Sequence, residues 1–147
     1  MLLVLAIGDF ARWYSTAITI EAAAREAADY GAFDSSNWVG DEFDPTSNHA
    51  KTLAAMRARA CTAASTLSGY VGDPVGTAGM TCTNPAVATV LDPPGATDCS
   101  DNTREPPCQV IVTVTYQFNL ITAFPPLPGS FSFSRESSFA VSKFPSS

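Results

Sequence analysis

The first 32 residues are predicted to form one long helix, and its apolar start constrains the rest of the chain more than any other feature. We expect this helix to begin at Leu2 and to end near Ala32, with Gly31 as its C-terminal stop. Residues 22–29 are almost all strong helix formers. Apolar side chains recur every three or four residues, which indicates one helix face: Leu3, Ile7, Phe10, Tyr14, Ala17 and Ile18.

Such a helix is roughly 45 Å long, which exceeds the diameter of a small domain. Its first half is therefore expected to project from the body of the protein and to need a membrane or other subunits around it, because an apolar rod is unstable in water. Residues 1–8 are too few to span a bilayer, which takes about 20 residues, and they carry neither a basic segment nor a cleavage motif. We therefore expect the sequence to begin inside a longer apolar helix.

Charge and composition exclude some classes of function. The net charge is −6, and the two lysines and six arginines are scattered, which argues against nucleic-acid binding. Charged residues make up only 15% of the chain, against a usual share of roughly 25%. The low share indicates that partners cover part of the surface.

The four cysteines predict two disulfides and an extracytoplasmic location. No C-x-x-C motif occurs and the chain has one histidine, so a zinc site is disfavoured. Four free thiols in a cytosolic domain are the alternative. Three pairings are possible, and we favour the one that closes two short loops, Cys61 with Cys82 and Cys99 with Cys108.

The remainder of the chain predicts an α+β fold. An acidic linker at residues 33–44 leads to a second helix, from Pro45 or Thr46 to about Leu67. Residues 86–91, 109–118 and 130–141 are predicted strands, and the second of them alternates clearly between apolar and polar residues. The loop between the last two contains apolar residues that are expected to contact a neighbour or the membrane surface: Leu120, Ile121, Phe124 and Leu127. We expect both helices to pack on a three- to four-stranded antiparallel sheet. Residues 1–32 would form the apolar helix and residues 33–147 an extracytoplasmic globular domain.

The N-terminal sequence resembles the TadE/TadG family of pseudopilin-like pilus-assembly proteins. Residues 7–12 read I-G-D-F-A-R, Tyr14 follows, and residues 22–32 read A-A-A-R-E-A-A-D-Y-G-A. The resemblance implies a pilin-like fold, export, membrane insertion through the apolar helix and assembly with sibling subunits. The chain departs from the family pattern because it has neither a prepilin-peptidase site nor a glutamate before Asp9, and because Ala11 and Ala27 stand where the family tends to have glycine.

No catalytic, cofactor-binding or metal-binding residues are predicted, and we expect the protein not to be an enzyme. His49 has no nucleophile beside it in the sequence, and its place early in the second helix favours an exposed polar role. The carboxylates of Asp41, Glu42 and Asp44 lack the regular spacing of a calcium loop. They are interpreted as a solvated linker.

We therefore interpret the chain as the structural subunit of an extracellular, pilus-like filament at the cell surface. Its partners would be copies of itself, the pilus-assembly machinery and, before assembly, the inner membrane. Asp9 and Arg12 are predicted to pair and to set the register of neighbouring helices. The predicted assembly face consists of the apolar side chains of the first helix: Leu2, Leu3, Val4, Leu5, Ile7, Phe10, Tyr14 and Ile18.

Two other functions stay open at this point. One is a membrane-anchored minor pseudopilin that never polymerises. The other is a secreted adhesin or carbohydrate-binding module, which would present an exposed row of aromatic side chains to its ligand. Candidate rows are Phe131, Phe133 and Phe139, or Trp38 with Phe43.

Overall fold

The computed structural model describes residues 2–33, 35–92, 99, 108–121 and 128–141 of the protein. It confirms the α+β class, with a long N-terminal helix, a second helix, antiparallel strands and two disulfides. The elements in chain order are α1 (Leu2–Ala32), a short 3-10 helix (Ser35–Trp38), α2 (Asn48–Ala64), β1 (Val71–Gly72), β2 (Cys82–Asn84), β3 (Ala86–Asp92), β4 (Gln109–Asn119) and β5 (Ser130–Ala140).

Helix α2 begins later than the sequence predicts. The carboxylate of Asp44 accepts hydrogen bonds from the amide and the hydroxyl of Thr46, which folds this segment into a turn. Ser47 is the N-cap, and its hydroxyl oxygen accepts a hydrogen bond from the amide of Ala50 at 3.1 Å. The expected start at Pro45 or Thr46 is therefore wrong, because a local side-chain bond competes with the helix.

Strands β3, β4 and β5 form an antiparallel sheet in that order, and β1 pairs with β2 in a separate small ribbon. Strand β4 lies in the centre and shows the alternation that its sequence predicts. Its buried side chains face the helices: Val110, Val112, Val114, Tyr116 and Phe118. The ribbon was not predicted, since strands of two and three residues are too short to show a period.

Helix α1 packs against α2 and across β4 and β5, with small residues on its inner face. Gly31 lies in a tightly packed part of the core, because a Cβ atom there would be 2.5 Å from Sδ of Met56 and 3.1 Å from Cγ1 of Val110. The helix continues through Gly31 to Ala32. Gly31 is thus a packing residue, and its expected role as a helix stop is wrong.

The disulfides tie short segments to the core. Cys61 on α2 is bonded to Cys82 on β2, which fastens the β1–β2 ribbon to the second helix. Cys99 is bonded to Cys108, directly before β4. All four cysteines are thereby paired.

Candidate assembly surface

Helix α1 has two apolar faces, and only one of them packs on the protein itself. The inner face begins at Asp9 and includes Ala17, although helical spacing predicts that Ala17 shares a face with Tyr14 and Ile18. Its buried residues recur every three or four positions and face α2 and the sheet: Asp9, Thr16, Ala17, Ile20, Ala23, Ala24, Ala27 and Ala28.

The opposite face carries a continuous exposed stripe of large apolar side chains, which we call the outer stripe. It consists of Leu3, Ile7, Phe10, Tyr14 and Ile18, with exposed fractions of 72%, 59%, 64%, 58% and 52%. At about 1.5 Å per residue the stripe is roughly 23 Å long. Contiguous exposed apolar surface of this kind marks a contact with a partner or a membrane.

The outer stripe ends where the same helix face becomes charged. Glu21, Arg25 and Asp29 follow Ile18 at helical spacing, and Nη2 of Arg25 lies 2.6 Å from Oε1 of Glu21. The ion pair is exposed to solvent, so its contribution to stability is small. The position of this ion pair means that the outer stripe ends at Ile18.

The start of α1 differs from the rest of the outer stripe because it is exposed on all sides. Residues 3–8 are all exposed, including Val4 at 70% and Leu5 at 46%, and a Cβ atom added at Gly8 would meet nothing within 4 Å. We call residues 2–8 the tip; the side chain of Leu2 lies outside the described part. The projecting segment is therefore shorter than the expected half helix, since α1 contacts its own sheet from Asp9 onward.

No helix within the described residues is both long enough and apolar enough to cross a membrane. The proposed division into an apolar helix (1–32) and a globular domain (33–147) stays a prediction. From Asp9 onward, α1 shares a single hydrophobic core with α2 and the sheet.

Asp9 and Arg12 lie together at the point where α1 leaves the body of the protein. Asp9 is 5% exposed, and its Oδ1 is 3.2 Å from Nη1 of Arg12 and accepts a hydrogen bond from the amide of Ile121 at 3.2 Å. Arg12 also donates to Oγ of Ser68 at 3.4 Å, and its guanidinium lies 5.2 Å from the centre of the Phe118 ring. The pair thus joins α1 to two loops of the same chain. A role between neighbouring copies stays a prediction.

Of the three phenylalanines in the first aromatic row expected of a carbohydrate-binding module, Phe139 alone is exposed, at 39%. Phe131 and Phe133 pack against the core, with their rings 5.5 Å from Phe118 and 6.2 Å from Tyr116. Trp38 is fully buried and donates from Nε1 to a backbone carbonyl at 2.7 Å. Neither row therefore forms a continuous exposed surface.

Phe43 is 84% exposed, but it stands apart from its proposed companion Trp38, which is inside the core.

His49 is buried, contrary to expectation. Only 2% of it is exposed, its Nδ1 lies 3.3 Å from the carbonyl oxygen of Gly40, and its ring meets Trp38 edge to face at 5.1 Å. The 3-10 helix places Trp38 against it, and no local pattern in the sequence indicates this contact. The nearby linker is solvated: Asp44 is exposed, and the hydroxyl and amide of Thr46 lower its pKa.

Among the described residues, no cluster of three or more His, Cys, Asp or Glu side chains could hold a metal ion.

Comparison with known proteins supports the resemblance at the N-terminus. Residues 1–29 match the family model described as TadE-like protein. The matched segment covers the tip, the outer stripe and the Asp9–Arg12 pair, and it points to involvement in Tad pilus assembly. Searches of curated proteins and of solved structures return no significant match.

Proposed function

We propose that the protein is a structural subunit of a pilus-like filament at the cell surface, assembled through the outer stripe of α1. The exposure of that stripe is the observation that carries the proposal, because the opposite face of the same helix is already satisfied by the protein's own core. Because these five side chains are 52–72% exposed, burial of the rest of their surface contributes on the order of 5–10 kcal/mol per copy before the costs of association.

In the proposed filament, the outer stripe of each copy packs among its neighbours. One repeated contact between different surfaces produces open helical growth. The charged face at Glu21 and Arg25 marks where the apolar interior ends, since an exposed ion pair stays hydrated. The Tad machinery would add the subunits, and the inner membrane would hold them beforehand.

Asp9 and Arg12 are proposed to contribute to register in addition to their contacts within the chain. The Arg12 side chain is 37% exposed, so part of its guanidinium is accessible to a neighbouring copy. A carboxylate or carbonyl of that copy is the expected acceptor.

The test compares Phe10→Gln with Phe43→Gln in the full chain, produced in cells that carry a Tad machinery. Both phenylalanines are exposed, but Phe10 lies on the outer stripe and Phe43 does not. We expect Phe10→Gln to lower the yield of sheared filaments at least tenfold, and Phe43→Gln to leave it unchanged. Electron microscopy and quantification of the chain in the sheared fraction give the measurement.

A membrane-anchored minor pseudopilin is the second candidate, and the tip favours it, because a segment that is apolar on all sides suits a lipid environment. In that case the chain would be recovered in the membrane fraction and would be a trace component of sheared filaments. Equal filament yields from the two variants would reject assembly through the outer stripe.

A further inference from the structure

Strand β5 lies at an edge of the sheet, and its outer side has no strand beside it among the described residues. At the end of its ladder with β4, the amide of Val141 donates to the carbonyl of Cys108 at 2.9 Å. Because bonded and non-bonded pairs alternate in an antiparallel ladder, the odd-numbered residues of β5 bond to β4 and the even-numbered ones direct their amides and carbonyls outward. The outward residues are Ser130, Ser132, Ser134, Glu136, Ser138 and Ala140.

The outward main-chain groups of β5 are accessible. Every outward residue from Ser132 to Ala140 is exposed, and within the described parts of the chain no main-chain hydrogen bond reaches these groups from outside the sheet. The carbonyl of Ser134 accepts a bond of 3.5 Å from Nη1 of the adjacent Arg135, which is longer than an ordinary hydrogen bond. A row of such groups is a template for pairing with another strand.

Strand β5 also lacks the usual protection of a sheet edge. Natural edges are blunted by short length, lysine, proline or a bulge. Residues 130–140 form an unbroken strand of 11 residues without lysine or proline, and their register with β4 does not shift. Strand β3, the opposite edge, has seven residues and is flanked by Pro85 and Pro93. Strand β5 is therefore the edge that is better suited to accept another strand.

The apolar loop before β5 is the other surface that the sequence predicts to contact a neighbour. Leu120 packs against the core, and Ile121 is 67% exposed while its amide donates to the carboxylate of Asp9. Phe124 and Leu127 lie outside the described residues. Within the described residues this loop presents a single exposed apolar side chain and no patch, so the β5 edge supports a contact better.

We propose that two copies of the chain pair edge to edge through β5, in antiparallel orientation about a two-fold axis. Like charges directly opposite each other are destabilising. A pair centred on Arg135 would place that residue opposite its own copy, and a pair centred on Glu136 would do the same for the carboxylate. A pair centred on Ser134 places Arg135 opposite Phe133 of the second copy, where the guanidinium can lie on the ring. It places Glu136 opposite Ser132, so no like charges meet.

This register pairs residues 130–138 of the two copies, which is the longest symmetric overlap without opposed like charges. Glu136 accepts a hydrogen bond from Oγ1 of Thr113 on β4 at 3.3 Å, which holds its side chain over the sheet and away from the edge. The contact uses the same strand of both copies, so it closes into a pair and does not itself propagate. It goes beyond the proposed function, because pairing through β5 needs no filament.

A cysteine at the centre of the register tests the pairing. Opposed Cα atoms in a hydrogen-bonded antiparallel pair are about 5.5 Å apart, which a disulfide can bridge. The full chain carrying Ser134→Cys, dispersed in detergent, should therefore form a covalent dimer under mild oxidation. Ser138→Cys is the matched control, since Ser138 is also exposed on the same face but would lie roughly 27 Å from its own counterpart. We expect it to form the dimer about tenfold more slowly or not at all.

Mixing two variants checks the register. Ser130 and Ser138 are opposite each other in the proposed pair, so Ser130→Cys and Ser138→Cys should form a mixed covalent dimer when combined and none when oxidised separately. Non-reducing electrophoresis and peptide mass spectrometry give the rates and the bonded positions. Equal rates for Ser134→Cys and Ser138→Cys would mean random collision, and no dimer from Ser134→Cys would mean that the edge does not pair. Either result overturns the proposal.

The same variant in cells that carry a Tad machinery tests the identity of the partner. An adduct of Ser134→Cys with a different protein, in place of a second copy, would mean that another strand occupies the edge and would also overturn the proposal. Failure of the pairing can be distinguished from failure of the proposed function. If Phe10→Gln lowers the filament yield while Ser134→Cys forms no dimer, assembly through the outer stripe stands and pairing through β5 is rejected. If Phe10→Gln and Phe43→Gln give equal yields while Ser134→Cys forms the dimer, the reverse holds.

Discussion

Gly8 and Gly31 lie on the same helix in opposite surroundings, so one substitution gives opposite results at the two positions. At Gly31 a methyl group meets the thioether of Met56, and the cost of overpacking exceeds the gain in helix propensity. We expect Gly31→Ala to lower the free energy of unfolding by about 1–2 kcal/mol. The methyl group at Gly8 meets open space, so Gly8→Ala should raise it by up to about 1 kcal/mol. Urea denaturation measures both, and a stabilising Gly31→Ala would contradict the close approach of α1 and α2.

At the scale of elements, the Cys61–Cys82 disulfide holds a ribbon that is too small to be stable alone. Strands β1 and β2 contain two and three residues, and an isolated pair of strands is marginal even when longer. Loop-closure entropy assigns this bond a stabilisation of about 3 kcal/mol. The paired change Cys61→Ala with Cys82→Ala should lower the free energy of unfolding by about that amount. Amide hydrogen exchange should show loss of protection at residues 71–84 first.

The matched control is Cys99→Ala with Cys108→Ala. This bond has a sequence separation of 9 rather than 21, so its removal should cost slightly less and leave the ribbon protected. Uniform loss of protection after removal of Cys61–Cys82 would mean that the ribbon is part of the main cooperative unit.

The elements that the sequence predicted well are those in which local pattern and tertiary environment agree. Helix α1 and strand β4 have long runs with one clear period, and their bounds were predicted to within a residue or two. The start of α2 was missed because the turn at Asp44 depends on a side-chain hydrogen bond. The burial of His49 depends on Trp38, which is eleven residues away in the chain and in a different element.

The candidate surface was also only partly predictable. Its members on α1 follow from helical spacing, but the pattern cannot tell which of two apolar faces the protein covers with its own sheet. Ala17 was placed on the wrong face for that reason. The contact between Asp9 and Ile121 spans 112 positions in the sequence, and no local signal indicates it.

At the scale of the whole molecule, the arrangement of faces predicts which surface becomes covered during assembly. The outer stripe of α1 lies on the side away from the sheet, and Phe43 lies in the linker that follows the other end of that helix. Phe10, Tyr14 and Phe43 are all exposed aromatic residues in the free chain, so they react readily with hydroxyl radicals. Their relative reactivity therefore reports directly on the geometry of assembly.

We expect radical footprinting, read by mass spectrometry, to show several-fold protection of Phe10 and Tyr14 in filaments relative to the detergent-dispersed chain. Phe43 should react equally in both, because assembly through the outer stripe leaves the acidic linker in solvent. The opposite pattern, with Phe43 protected and Tyr14 reactive, would mean that copies associate through the linker. In that case the stripe would serve another contact, and repeating the measurement in lipid vesicles would show whether Phe10 and Tyr14 are covered there instead.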